Sequence, residues 1–147
     1  MQVNATFKHG EFKMSENTGV TVNEFGIYDG EATGSGEIRF ELGGEIHELR
    51  DITFAIRMIH GRDGPKSIQL SYPSDIMSDG TYSINYPDDD FWLGWSIQIP
   101  GAGNRVKKGK MELTLSDNRT KGKGTFEVNF EGDPDDIVYH GNFDVVQ

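Results

Sequence analysis

The sequence predicts a single all-β domain over residues 1–147, folded as an antiparallel β-sandwich, with a closed lipocalin-like β-barrel as the alternative. Three observations predict this fold class. Apolar residues alternate with polar ones along most of the chain, as in strands with one buried and one solvated face. Turn-forming segments rich in Gly, Pro, Asn and Asp recur at a spacing of roughly ten residues. No stretch places apolar residues at helical spacing over three turns.

The alternating rows define the expected strands in chain order. Their inward positions are Val3, Ala5 and Phe7; Ile38, Phe40 and Leu42; Ile52, Phe54, Ile56 and Met58; Ile68, Leu70 and Tyr72; Tyr82, Ile84 and Tyr86; Leu93, Trp95, Ile97 and Ile99; Met111, Leu113 and Leu115; Phe126, Val128 and Phe130; and Ile137, Tyr139, Phe143 and Val145. The row at 52–58 has further apolar neighbours, so we expect one central strand covered on both sides. The last two rows, joined by EGDPDD, predict a hairpin.

Glycines and basic residues mark features between and along these strands. The Gly-x-Gly pieces at 34–36, 101–103 and 122–124 lack the third glycine and the following helix of a nucleotide site, so we interpret them as turn or bulge glycines. The basic segment at 105–110 is a positive island on an acidic chain. It is typical of a solvated edge strand whose charge discourages pairing with other chains.

Charge and composition exclude several function classes. With 24 acidic and 14 basic residues the formal charge is −10, which disfavours nucleic acid and anionic membrane surfaces as partners. No apolar run approaches the roughly 20 residues that cross a bilayer, so no membrane insertion is expected from a soluble acidic chain. The absence of cysteine removes disulfides and thiolate metal sites. A native start at Met1 predicts a cytoplasmic protein, and a removed signal would place it in the envelope or outside the cell.

Known catalytic motifs are missing from the chain. It contains no G-x-S-x-G elbow, no Walker sequence and no HExxH spacing among its four histidines. The glutamates that could form an acid–base pair occupy outward positions on predicted strands. A non-enzymatic role is therefore favoured, and an all-β enzyme without short motifs remains the alternative.

The densest group of candidate ligand-binding residues is the segment YPDDDFWLGW at 86–95. Aromatic faces beside carboxylates are suited to stacking on a sugar ring and accepting hydrogen bonds from its hydroxyls. Trp95 is in phase with Ile97 and Ile99 and is expected in the core, whereas Trp92 lies on the opposite face as an exposed platform. The predicted ligand-binding residues are Trp92, Tyr86, Phe91, Asp88, Asp89 and Asp90.

No cofactor is expected, with calcium as the alternative. Hard oxygen ligands crowd at Asp88, Asp89 and Asp90, and again at 133–136, but neither run has the order of an EF-hand loop. Aspartate-rich hairpin loops also form ordinary turns, which is the simpler interpretation of both runs.

From Ile52 onward the order of short motifs resembles a domain of unknown function found in small secreted lipoproteins of Bacteroidota. The motifs are GTY at 80–82, GKM at 109–111 leading into Ser116, GTFEV at 124–128 and GNFDV at 141–145. The lipobox cysteine of such proteins is missing, and residues 1–51 do not match. The resemblance implies a β-sandwich and supplies no activity or functional residues.

Taken together, the sequence predicts a non-catalytic binding or interaction domain that recognises a protein or carbohydrate ligand through residues 86–95. Two alternatives remain open: a barrel that carries a small apolar ligand, and an acidic inhibitor or immunity-type protein of a basic partner. The sequence does not indicate an oligomeric state.

Overall fold

The computed structural model of the chain describes residues 7–8, 11–13, 21–23, 33–55, 57–89, 91, 93–101 and 105–147. Within these residues the chain forms thirteen strands. They are β1 (Phe7–Lys8), β2 (Glu11–Lys13), β3 (Thr21–Asn23), β4 (Ser35–Leu42), β5 (Glu45–Leu49), β6 (Asp51–Ala55), β7 (Met58–Asp63), β8 (Lys66–Ser71), β9 (Gly80–Tyr86), β10 (Ser96–Gln98), β11 (Val106–Ser116), β12 (Lys121–Phe130) and β13 (Tyr139–Val146). No described segment is a helix long and apolar enough to span a membrane.

Two antiparallel sheets form the predicted β-sandwich. The larger sheet has six strands in the order β5-β4-β13-β12-β11-β9, and the smaller has four in the order β10-β8-β7-β6; β1, β2 and β3 pair as a separate sheet. The β12–β13 pair is the hairpin that the sequence predicts. In the described part of the chain, β5 and β9 are unpaired edges of the larger sheet, so the closed-barrel alternative is wrong. The alternative function of carrying a small apolar ligand depends on such a barrel and is therefore not supported.

The alternating rows supply the core of the described residues, as predicted, except at Ile137, which precedes β13 and is 41% exposed. The predicted inward positions Val3, Ala5 and Ile56 lie outside the described residues. Residues of both sheets interdigitate in one buried cluster, in which most side chains are less than about a tenth exposed. Members from the larger sheet include Ile38, Phe40, Met111, Leu113, Phe126 and Phe143, and members from the smaller include Ile52, Phe54, Ile59, Ile68, Leu70 and Ile97. A Cβ on Gly122 would lie 3.1 Å from Cζ of Phe54, so the two sheets touch closely at this point.

The predicted central strand at 52–58 is wrong in two respects. The chain reverses between Ala55 and Met58, so that these two residues pair and Phe54 of β6 pairs with Ile59 of β7. In addition, β6 is at the end of the four-stranded order and not in its centre. The expectation of cover on both faces is confirmed at Thr53, which is 2% exposed between buried Ile52 and Phe54.

The basic segment at 105–110 leads into a strand that is an edge only at its start. From Gly109 to Leu115, β11 pairs with β9 on one side and β12 on the other. Before Gly109 it pairs with β12 alone, across an irregularity between Val106 and Lys108. The predicted edge is therefore correct from Val106 to Lys108 and wrong beyond it, and it is also wrong at Arg105, which forms an antiparallel bridge with Ser96.

The loop between β11 and β12 holds three successive residues in the left-handed region. Asp117, Asn118 and Arg119 have φ values of 55°, 57° and 61°, which cost an L residue about 1–2 kcal/mol each, less for Asp and Asn. The carboxylate of Asp79 accepts hydrogen bonds from the backbone N–H groups of Asn118 (3.0 Å) and Arg119 (2.7 Å). Asp79 therefore holds the strained turn in place from outside the hairpin.

Arg119→Gly should raise the free energy of unfolding by about 1 kcal/mol, because glycine adopts this φ without a steric cost. The measurement is urea-induced unfolding, read as a shift of the midpoint at constant slope. Arg119→Ala is the control, since it removes the same side chain and keeps the strain. Equal gains from the two substitutions would show that relief of strain is not the cause.

Candidate functional site

Two rows of outward side chains cross the larger sheet and form the walls of a groove. Cross-strand pairing aligns the first row as Glu48, Arg39, Asn142, Thr125, Glu112 and Ser83. The second row contains Ile46, Glu41, His140, Glu127, Lys110 and Asn85. Between the rows, Phe40, Phe126 and Met111 turn their side chains into the core, and Gly141 has none. Backbone therefore forms the floor of this outer groove, whose volume is about 640 Å³.

Charged groups of both signs line the outer groove. Arg39 lies 3.6 Å from Glu48, but Glu48 is also engaged by Arg50, which in turn lies 3.3 Å from Glu37. Nε of Arg39 is buried without a hydrogen-bond acceptor among the described residues. Part of the Arg39 guanidinium is therefore unused by the fold and available to an anionic ligand group.

The other charges of the outer groove are loosely engaged or free. His140 Nδ1 lies 3.8 Å from Glu127 Oε2, and Ser83 donates a hydrogen bond to Glu112. Lys110 makes no salt bridge with any residue that the structure describes. The long contact between His140 and Glu127 can exchange for ligand contacts without leaving a buried charge.

The predicted aromatic residues of the 86–95 segment pack between the sheets at one end of the sandwich. Tyr86 stacks on Trp95 with ring centroids 4.9 Å apart and planes 9° from parallel, and Phe91 meets both rings edge-on. Trp95 is 4% exposed and donates from Nε1 to the carbonyl of Ser71 at 2.9 Å, so its predicted core position is confirmed. The absence of a Cβ on Gly109 makes room for the Trp95 ring.

Packing therefore covers part of the surface of these rings. Tyr86 and Phe91 are partly buried against the core, and only part of each ring reaches the surface. Trp92 and Asp90 lie outside the described residues. The ligand-binding role of the segment stays a prediction.

The acidic runs form turns and ion pairs in the described part of the chain. Asp89 Oδ2 accepts from the backbone N–H of Asn85 at 3.0 Å. Asp133 accepts from the Tyr139 hydroxyl at 3.1 Å, which raises the pKa of that phenol. Lys107 lies 2.7 Å from Asp135 and holds the pKa of its carboxyl below the usual range. Among the described residues, no three acidic or histidine side chains converge as a calcium site would require.

A smaller cavity of about 250 Å³, the end pocket, continues the outer groove toward the 87–89 turn. Lys110 and Glu127 line both cavities, so the two are contiguous. The other polar side chains of the end pocket are Asn85, Asp88, Lys108, Asn129 and Asp135. Of the predicted ligand-binding residues, Tyr86 and Asp88 contribute to this cavity.

The sequence-based prediction missed the residues that give both cavities their polar walls. Arg39, Thr125, Asn129 and Asn142 carry no motif and are far apart in the chain. Their outward phase on predicted strands was the available signal, and it does not by itself distinguish a binding wall from ordinary solvated surface.

Comparisons with protein-family models, with curated proteins and with solved structures found no match for this chain. The resemblance of residues 52–147 to a lipoprotein domain therefore stays a prediction.

Proposed function

We propose that the chain is a non-catalytic binding domain that holds an extended segment of a partner polypeptide in the outer groove. The observation that carries the proposal is the mixed charge of the groove walls. Arg39 and Lys110 can pair with acidic ligand side chains, and Glu41, Glu112 and Glu127 can pair with basic ones. Complementary charge of both signs fixes the register and direction of a bound chain.

The dimensions of the groove fit a polypeptide segment. It crosses five neighbouring strands, from β5 to β11, which at an interstrand spacing of ~4.8 Å is roughly 19 Å. An extended chain rises about 3.4 Å per residue, so about six residues fill this length. Ile46, which is 57% exposed at one wall, offers an apolar contact to the same ligand.

The groove is less suited to a neutral glycan. Its aromatic lining residues, among those described, are Phe40 and Phe126, and both rings are buried in the core. Sugar recognition by stacking needs an exposed aromatic face, which these rings do not offer. A polypeptide is therefore the favoured ligand class of the two that the sequence leaves open.

Peptides selected by the protein from a random dodecapeptide pool should bind Thr125→Arg about tenfold or more weakly than the native chain. Thr125 is exposed at the middle of the first wall, where a long cationic side chain would fill the groove. The measurement is fluorescence anisotropy with each selected peptide labelled. Thr81→Arg is the matched control, because Thr81 is exposed on the same sheet outside the groove.

Two results would contradict the proposal. In the first, the selected peptides bind both variants as tightly as they bind the native protein. In the second, the protein selects no peptide from the pool but binds a member of a glycan panel, which would favour a carbohydrate ligand.

A further inference from the structure

We infer that the end pocket binds a free α-amino acid in its zwitterionic form, with Lys108 and Lys110 facing the carboxylate and Asn129 and Asp88 facing the ammonium group. Lys108, Asn129 and Asp88 line the end pocket and do not line the outer groove. The site shares Lys110 with the outer groove, and its other three residues distinguish it from the polypeptide site proposed above.

The cationic side of the pocket has two lysines that make no salt bridge with a described residue, although Lys108 helps Lys107 to lower the pKa of the Asp135 carboxyl. Lys108 and Lys110 are exposed and lie two residues apart on β11, so both point outward and their Cα atoms are about 7 Å apart. Lys107, between the two, pairs with Asp135. Neither Lys108 nor Lys110 forms a salt bridge within the described ranges, so both ammonium groups can hold a carboxylate.

Asn129 supplies a buried acceptor that needs a donor. The residue is 1% exposed, and its Nδ2 donates to the carbonyls of Pro134 (3.0 Å) and Ile137 (2.8 Å). These two bonds use both amide hydrogens and fix the orientation of the side chain. Oδ1 is left without a donor among the described residues. A carboxylate cannot supply that hydrogen, but an ammonium group can.

Asp88 adds a negative charge on the same cavity. It is exposed in the turn after β9 and makes no salt bridge in the part of the chain that the structure describes. Its neighbour Asp89 is occupied by the backbone of Asn85. The cavity is also lined by Glu127 and Asp135, which lie near His140 and Lys107 respectively. The two lysines, Asp88 and the unpaired acceptor of Asn129 match a ligand that carries both charges and N–H donors.

The volume of the pocket indicates a small amino acid. At ~30 Å³ per water, about 250 Å³ corresponds to about eight non-hydrogen atoms. Drug-sized ligands need about 300 Å³ or more. Glycine, alanine, serine and threonine are within this limit, and aromatic amino acids exceed it.

The test uses free amino acids on the full chain, followed by two-dimensional NMR of the amide and lysine ammonium resonances. We expect alanine or another small amino acid to shift the resonances of Lys108, Lys110 and Asn129 in a saturable way. Alaninamide, which lacks the carboxylate, and N-acetylalanine, which lacks the cation, should each bind at least tenfold more weakly. Glycine betaine keeps both charges but has no N–H donor, so it should also bind at least tenfold more weakly than glycine.

Variants of exposed residues assign the roles without risk to the fold. Lys108→Gln, Lys110→Gln and Asp88→Asn should each weaken amino-acid binding about tenfold, whereas Lys123→Gln, on the same sheet away from the pocket, should not. The inference is overturned if no free amino acid gives a saturable shift at millimolar concentration. It is also overturned if alanine, alaninamide and N-acetylalanine bind equally. Either result leaves the polypeptide-binding proposal standing, because that proposal is read out by Thr125→Arg.

Discussion

Replacing Gly124 with alanine is expected to lower the free energy of unfolding by about 3 kcal/mol, because the new methyl group has no space on either side. Its Cβ would overlap the backbone carbonyl oxygen of Glu112 and would lie 2.9 Å from Cζ of Phe143. Strand β12 is held by ladders to β11 and β13, so the carbonyl cannot move without breaking hydrogen bonds of the sheet. Urea-induced unfolding would measure the loss as a lower midpoint.

Gly122→Ala is the matched control on the same strand. The nearest atom to its added methyl group is Cζ of Phe54 at 3.1 Å, the end of a ring that can shift by a few tenths of an ångström. We expect a loss below about 1 kcal/mol at this position. Similar losses at the two sites would contradict the steric argument.

These two glycines also show where sequence reasoning was wrong about local structure. The sequence pattern predicts turn or bulge glycines for the Gly-x-Gly piece at 122–124, but both glycines lie inside β12. Their function is to leave space for the rings of Phe54 and Phe143, which come from other strands. A glycine that makes room for a distant side chain has the same local signal as a turn glycine, so the sequence cannot separate the two.

The wrong strand at 52–58 has a similar physical origin. In the sequence, alternation continues from β6 into β7 across the reversal, so the apolar row appears unbroken. The reversal contains none of the usual Gly, Asn, Asp or Pro; instead Arg57 adopts a φ of 56°. Met58 consequently points to the face opposite Phe54, although the pattern places them together.

The alternation of β4, β11, β12 and β13 was predicted correctly because the period of two is a local property. The walls of the outer groove were not predictable, because they depend on strand order. Arg39 and Asn142 face each other only because β4 pairs with β13, a contact between the two ends of the described sandwich. The Tyr86, Phe91 and Trp95 cluster likewise forms because β10 lies in the opposite sheet from β9.

The smaller sheet contains a buried polar row on the face opposite Ile52 and Phe54. Thr53, His60 and Gln69 are aligned across β6, β7 and β8, and each is at most 2% exposed. Burial disfavours the charged imidazole and, with a smaller contribution from Arg62, lowers the pKa of His60 to about 3. Because of this single side chain, the free energy of unfolding should depend on pH in mildly acidic solution.

The free energy of unfolding should fall by about 2 kcal/mol between pH 7 and pH 5 because of His60. Below its ordinary pKa of 6.5, the unfolded chain binds a proton at this residue, whereas the folded chain does not until about pH 3. The unfolded state thus gains protons that the folded state lacks, so stability decreases as pH falls through this window. At pH 5 the difference is about 1.5 pH units at ~1.36 kcal/mol per unit.

Urea unfolding at a series of pH values between 7 and 5 measures the slope of stability against pH. His60→Gln should remove most of that slope, whatever it does to stability at pH 7, because glutamine does not titrate. His140→Gln, at a side chain that is 68% exposed, should keep it. If the slope is kept in His60→Gln and lost in His140→Gln, the proton uptake on unfolding belongs to His140. That result would contradict the argument from the burial of His60.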